Sequence, residues 1–381
     1  MRAADALVVG GGVIGAAVAW RLARAGAAVT LLERDEIGAH ASAAAAGMLA
    51  PISESLGSGA IFSLGRDSLA RLEAELGELR ELSGVDPELV CSGVLRVAAA
   101  DEADALRARA EALAAFGCSW LDARELEKRA PGLAPGCAGA LYSASEAHVD
   151  GRRLARAYAG AAERRGAELV RGVEVLGLLR DGARVVGVRT SRGDWPAHDV
   201  VLCSGAWASR AGDWLGSAVP VAPVKGQMLA LEPSAPRGGP ILWSRDVYLV
   251  PRRDGELRVG ATVEHAGFDA RPTAAGIARL LAGACALAPA LRDAALVRVW
   301  AGLRPGTPDE LPLVGAALAA PGAWLAVGHY RNGILLAALT GAALASELLD
   351  GVRLPGLDAF DPARFARENP SRARTTPGRT R

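Results

Sequence analysis

The sequence predicts an α/β protein with a parallel-sheet unit at its start and an antiparallel sheet further along. Three observations carry this expectation. The first 33 residues read as strand, glycine-rich turn, helix and strand; apolar residues alternate with period two from Val219 to Val263; and residues 324–349 repeat the strand, loop and helix order of the opening. At 381 residues the chain exceeds what one compact domain usually holds, so two domains or an interleaved pair are expected.

Leu7-Val8-Val9 is a short buried strand, and Val13 to Arg24 carries apolar side chains around most of its surface, as a helix lying under a sheet does. Gly26 ends that helix and Val29 to Leu32 forms the second strand, parallel to the first because the crossover returns the chain to the same sheet edge. A small-residue loop covers Gly38 to Gly47, and Leu64 to Leu82 is helical. Val90 to Val149 carries the weakest pattern, with one exposed helix over Asp101 to Phe116. Arg152 to Arg165 is amphipathic, and strands follow it, broken by turns at Asp181-Gly182 and Arg192-Gly193. Val200 to Cys203 is a buried strand running into Ser204-Gly205-Ala206-Trp207. Tyr248-Leu249-Val250 and Leu257-Arg258-Val259 flank the turn Arg253-Asp254-Gly255, Ala274 to Leu287 is a helix, and strand Trp324–Val327 leads through Gly328–Gly333 into a helix ending at Leu349. There is no internal repeat.

Composition excludes several functions. Hydrophobic residues make up 51% and charged residues 22%, which excludes a disordered chain. Lys+Arg 43 against Asp+Glu 42 leaves a net charge of +1, so no global field recruits nucleic acid or an anionic membrane. Cys91, Cys118, Cys137, Cys203 and Cys285 are scattered without a C-x-x-C pair, the pattern of reduced thiols in a cytoplasmic protein and not of a disulfide framework or zinc site. The apolar run from Ala6 to Trp20 contains Gly10, Gly11, Gly12 and Gly15, which suit a tight turn better than a secretory helix. No stretch reaches the roughly 18 apolar residues of a membrane span without glycine or charge, so a soluble chain is expected.

Gly10-x-Gly12-x-x-Gly15 is the strongest chemical signal, because it follows a strand, opens a helix and precedes Glu33 at the end of the second strand. Gly10 permits the turn, Gly12 admits a pyrophosphate, and Gly15 lets helix and strand pack closely. The helix start then offers N–H donors to the phosphates, and Glu33 accepts hydrogen bonds from a ribose. This fingerprint alone does not separate FAD from NAD. The small side chains Ser42 to Gly47, running into Met48-Leu49-Ala50-Pro51, suit close contact with a bulky flat cofactor.

With those residues, Pro223-Val224-Lys225-Gly226-Gln227-Met228, Tyr248-Leu249-Val250-Pro251-Arg252, Gly302-Leu303-Arg304-Pro305 and Gly328 to Leu336 together resemble the D-amino-acid oxidase group of FAD-dependent oxidoreductases, in particular its glycine-oxidising branch. The resemblance covers both ends and the antiparallel sheet, roughly two thirds of the chain, and is weak from Leu56 to Val149. It implies a doubly wound, Rossmann-type FAD-binding domain (residues 1–82, 145–215 and 297–363) and an α+β antiparallel-sheet substrate domain (83–144 and 216–296); the arginines among Pro, Thr and Ser at the end of the chain read as a disordered basic tail (364–381). It also implies oxidation of glycine to the imine and glyoxylate by hydride transfer to the flavin, with O2 reduced to H2O2 and the imine supplied to a thiazole synthase of thiamine biosynthesis. Arg304 then binds the substrate carboxylate, Tyr248 adds its hydroxyl, and the Arg331 backbone receives the amine, with Met48, Val263 and His329 around the substrate. The implied FAD contacts are Gly10, Gly12, Val13, Ile14, Gly15, Glu33, Arg34, Ser42, Ala45, Ala46, Gly47, Met48, Val173, Gly205, Trp207, His329, Arg331, Asn332, Gly333, Ile334 and Leu335.

Independently of the resemblance, a guanidinium forks onto a carboxylate with two parallel hydrogen bonds, so one arginine fixes both position and orientation. Arg304, between Gly302 and Pro305 after an apolar strand, is placed to be aimed from a stiff element. The helix after Gly333 points its positive end toward the charge that a reduced flavin accumulates. Loss of a hydride from a neutral amine needs no protein base, so His329 reads as pocket-shaping; Lys225 reads equally as a cofactor-facing charge or a strand-edge residue. Val263 stands where some relatives carry methionine, which would admit sarcosine or a small D-amino acid. The Gly302 to Leu311 and Gly328 to Leu336 motifs lack cysteine, so noncovalent FAD is expected. Alternatives left open are a D-amino-acid or sarcosine dehydrogenase using another acceptor, and a flavin-bearing binding subunit without turnover; a homo-oligomer is also open.

Overall fold

The structure, a computed structural model, describes residues 4–233 and 239–365. The opening unit is strand β1 (Ala4–Val9), helix α1 (Val13–Arg24) and strand β2 (Val29–Glu33). β1 pairs in parallel with β2 and, on its other side, with Gly193–Leu202; Ala323–Val327 continues the parallel sheet, Leu313–Ala316 closes that edge antiparallel, and Glu168–Arg171 closes the other edge beside β2. Continuous apolar strands fit because both faces are covered. One face packs against α1, the helix Gly151–Arg164 and the C-terminal helix, around Trp20, Leu31, Tyr158 and Leu336. The other packs beneath the hairpin Val175–Thr190 and short helical turns, around Leu7, Leu32, Val188, Leu202 and Leu325.

Helix α2 (Pro51–Ser55) follows the small-residue loop, and helix α3 (Gly59–Ser83) packs against the C-terminal helix. The second sheet contains β3 (Ala222–Glu232), β4 (Tyr248–Pro251), β5 (Leu257–Gly260) and β6 (Ala295–Gly306). Its order is β6-β3-β5-β4, followed by Ile241–Trp243, Val94–Ala98, Gly139–Ser143 and Cys118–Asp122. All pairs are antiparallel except that of Ile241–Trp243 with Val94–Ala98. Thus the weakly patterned region supplies three short strands of this sheet, which the sequence did not disclose.

Two expected boundaries move. Residues 297–306, assigned to the cofactor domain, belong to β6, which pairs with β3 from Ala222↔Gly306 to Glu232↔Ala295. The tail was placed from residue 364, but Arg364 and Phe365 end the turn Pro362–Phe365, and Arg364 Nε donates to Asp309 Oδ2 at 2.7 Å. The rest of the expected tail lies outside the described residues.

Helix α4 (Gly333–Asp350) is the one described helix long and apolar enough to cross a membrane by length and composition. Here its apolar surface is spent on packing against α1 and α3.

Candidate functional site

A cavity of about 470 Å³ lies between the two sheets, within the range of small-molecule and cofactor sites. Its floor is the turn between β1 and α1. Gly10 has φ +108°, and a Cβ there would press on the Cys203 carbonyl; a Cβ on Gly15 would overlap the Gly10 carbonyl oxygen. Gly12, by contrast, faces open space, with only Ser42 Oγ near a would-be Cβ at 3.4 Å. The first helical bond of α1 runs from Ala16 N to Gly12 O, so the amides ahead of it lack intrahelical partners. Ser42 Oγ accepts the Val13 N–H at 3.0 Å, tying the small-residue loop to the helix start. Glu33 Oε2 accepts the Gly11 N–H at 2.6 Å and Oε1 the Asp35 N–H at 2.7 Å, which fixes the carboxylate at the cavity wall. Free amides at a positive helix end, a bare glycine surface and an oriented carboxylate fit an adenine dinucleotide.

The opposite wall is built by strand alternation. Trp300, Gly302 and Arg304 share one face of β6, and Gly226 and Met228 share the matching face of β3. Arg304 pairs with Val224 in register, and its guanidinium lies over Gly226, where any Cβ would collide with it. Arg304 Nη1 donates to Thr262 O at 3.0 Å, and among the described residues no carboxylate comes within salt-bridge distance of Arg304. Tyr248 lies likewise over Gly260, its cross-strand partner, and stacks edge-on with Trp243 at 6.0 Å. Burial raises the Tyr248 pKa, with the Arg304 charge pulling the other way, so the hydroxyl stays protonated near neutral pH.

The third wall is the loop into α4. His329 is buried, its Nε2 is 3.0 Å from Thr340 Oγ1, and burial pushes its pKa down to about 3. It is therefore neutral and locked by a hydrogen bond. Arg331 projects into the cavity, with Nη2 3.2 Å from Oε2 of Glu54.

The structure brings Arg304, Tyr248, Arg331, Met48 and His329 into one cavity with Gly10, Gly12, Val13, Ile14, Glu33, Arg34, Ser42, Ala45, Ala46, Gly47, Val173, Gly205, Trp207, Gly333 and Ile334. Four expected residues stand elsewhere. Val263 is 54% exposed, because alternation past β5 turns Thr262 inward, where its Oγ1 accepts the Gln227 N–H at 2.9 Å, and Val263 outward. Gly15 serves the packing of α1 on β1, Leu335 packs in the core near Gly65, and Asn332 is a buried residue at the N-cap of α4 outside the cavity lining. Arg304, expected after an apolar strand, stands within β6 itself. Lys225 is off the cavity: it is buried, its Nζ is 3.0 Å from Glu264 Oε2, and it anchors the loop after β5.

Sequence reasoning missed Glu54, Trp243 and the packing role of Gly226. Glu54 lies on α2, where Pro51 at the first turn fixes the helix start. Glu146 accepts the Ile52 and Ser53 N–H groups at 2.7 and 2.8 Å and the Ser53 hydroxyl, so it holds that helix start from below. These are contacts across 93 and 94 residues, which no local pattern announces.

Comparison with known proteins points to one family. A family model described as FAD dependent oxidoreductase matches residues 5–347. A glycine oxidase of Pseudomonas aeruginosa is 38% identical over 94% of this chain and 97% of its own length. A bifunctional protein ThiO/ThiG of Nostoc is also 38% identical over 96% of this chain, but the chain spans only 55% of that relative's length. The crystal structure of glycine oxidase from Geobacillus kaustophilus superposes with a TM-score of 0.90 at 36% identity, covering 95% of this chain and 98% of that one.

Proposed function

This chain belongs to the FAD dependent oxidoreductase family, and from that premise we propose that it oxidises glycine, forming the imine that hydrolyses to glyoxylate and ammonia while O2 becomes H2O2. The single observation that carries the substrate class is Arg304, a guanidinium without a carboxylate partner among the described residues, facing a cavity that also contains a dinucleotide-binding turn. Such a group recognises a carboxylate with two parallel hydrogen bonds.

FAD, when bound noncovalently, supplies the acceptor for the hydride of the substrate carbon and passes the electrons to oxygen. The protein's own part is positioning. Thr262 O aims Arg304, and the empty surface of Gly226 leaves room for its planar group. Tyr248 offers a protonated hydroxyl as a second donor to the carboxylate, and Arg331 frames the amine end. Met48 and Trp243 bound the space on the apolar side and limit substrate size. His329, neutral and bonded to Thr340, shapes the wall and exchanges no proton in the reaction. Held in line, the reacting groups need little more than orientation. The bifunctional ThiO/ThiG relative supports a link to thiazole formation, in which a thiazole synthase consumes the imine.

The test is direct: the purified yellow protein is given glycine, sarcosine or D-alanine, and peroxide and the keto acid are quantified with and without an artificial electron acceptor. Equimolar peroxide and glyoxylate from glycine in air supports the proposal. Turnover that requires the artificial acceptor overturns the oxidase assignment.

A further inference from the structure

Glu54 lies in the cavity with the two arginines, yet positioning by Arg304 gives it no task. Its side chain is 9% exposed, and it rides on a helical turn pinned at its start by Glu146. Its Oε2 is 3.2 Å from Arg331 Nη2 but makes no hydrogen bond of good geometry. Arg96 is a further cation near Glu54, but it stands behind Trp243, with its guanidinium carbon 4.5 Å from that ring.

We infer that Glu54 determines which amines the site accepts: it pairs with Arg331, leaves Arg304 as the uncompensated member of these two guanidiniums, and so selects substrates with one carboxylate over those with a second carboxylate on the amine nitrogen. This rests on the amino-acid oxidase reading given above. At the end of the cavity where Arg304, Arg331 and Glu54 meet, the wall holds two guanidiniums and one carboxylate. A glycine-like substrate neutralises the remaining positive charge. Iminodiacetate brings one negative charge more, and that charge meets Glu54, whose carboxylate is costly to ionise through burial and is held charged by Arg331, Arg96 and Arg304, in a space where low polarity strengthens like-charge repulsion. Discrimination is then achieved by an unfavourable contact with the wrong substrate, not by a better one with the right substrate.

The test uses the FAD-loaded wild type, Glu54→Gln and the charge-retaining Glu54→Asp. Two unreactive ligands, methoxyacetate with one carboxylate and diglycolate with two, are titrated while the flavin spectrum is followed, and kcat/KM is measured for glycine and iminodiacetate. Wild type and Glu54→Asp should prefer methoxyacetate. Glu54→Gln should shift that preference toward diglycolate by about tenfold, and raise kcat/KM for iminodiacetate. Because neither ligand carries an amine, loss of an amine contact cannot imitate this result. Wild-type affinity for diglycolate equal to that for methoxyacetate, or a Glu54→Gln variant that weakens both ligands equally, overturns the inference. The wild-type comparison decides even if Glu54→Gln does not fold. Reduction of the flavin by glycine without the preference refutes only the role of Glu54; no reduction by glycine refutes the oxidase reading itself.

Discussion

Arg304 owes its position to the residues beneath and beside it: Gly226, which has no side chain to obstruct the guanidinium, and Thr262, whose carbonyl aims it. Arg304→Ala should leave FAD binding intact and cost about 3–5 kcal/mol in kcat/KM for glycine, the range for breaking one half of a buried charge pair. Steady-state kinetics on the yellow variant checks this. Gly226→Ala keeps the arginine but places a methyl group where the guanidinium lies, so KM for glycine should rise while the flavin spectrum stays unchanged. At this scale Arg304 and Tyr248 were legible because they sit in short motifs whose neighbours are also constrained. Val263 was placed at the substrate by the resemblance alone, without regard to which face the backbone turns outward there, and Glu54 was invisible because its meaning comes from Arg331, which is remote in sequence.

At the scale of single elements, α2 depends on a carboxylate from another segment. Burial pushes the Glu146 pKa up to about 7, outweighing the hydrogen bonds from Ser53 and Ile52 that favour its charged form. A folded-state pKa above the unfolded value of 4.5 means that the folded chain holds the proton more tightly. The Glu146 contribution is therefore complete below about pH 4.5 and is lost as pH rises through 7. Glu146→Gln cannot titrate, so the Tm difference between wild type and variant should shift against the wild type between those pH values; a pH series of thermal melts shows it. Strand β3 and helix α1 were readable from periodicity, and β4 and β5 from the turn Arg253-Asp254-Gly255 between them. The short strands Val94–Ala98, Cys118–Asp122 and Gly139–Ser143 were not, because five residues beside charged helices give too little pattern.

The whole molecule joins a mainly parallel and a mainly antiparallel sheet over a shared cavity, and the joint is tight. Trp300 Nε1 donates to Ala44 O at 3.0 Å, and a Cβ on Gly302 would lie 2.5 Å from the Ala44 Cβ. Gly47, with φ +85°, lets the loop meet the Val149 carbonyl. Gly302→Val should push β6 away from the small-residue loop, destabilise the protein by about 1–3 kcal/mol and loosen the flavin; denaturant unfolding and flavin retention on gel filtration measure both. The sequence disclosed both sheets but not the edge between them, because β6 looks like the approach to the next motif until its pairing with β3 is known.

The account's central claim is that the cavity holds FAD with a small amino acid gripped by Arg304. Anaerobic addition of glycine to the purified, flavin-loaded protein tests it most directly. Loss of the oxidised-flavin absorbance in the wild type, absent from Arg304→Ala at the same glycine concentrations, is the predicted result. A wild-type spectrum that glycine leaves unchanged, or an Arg304→Ala variant that bleaches equally well, would contradict it.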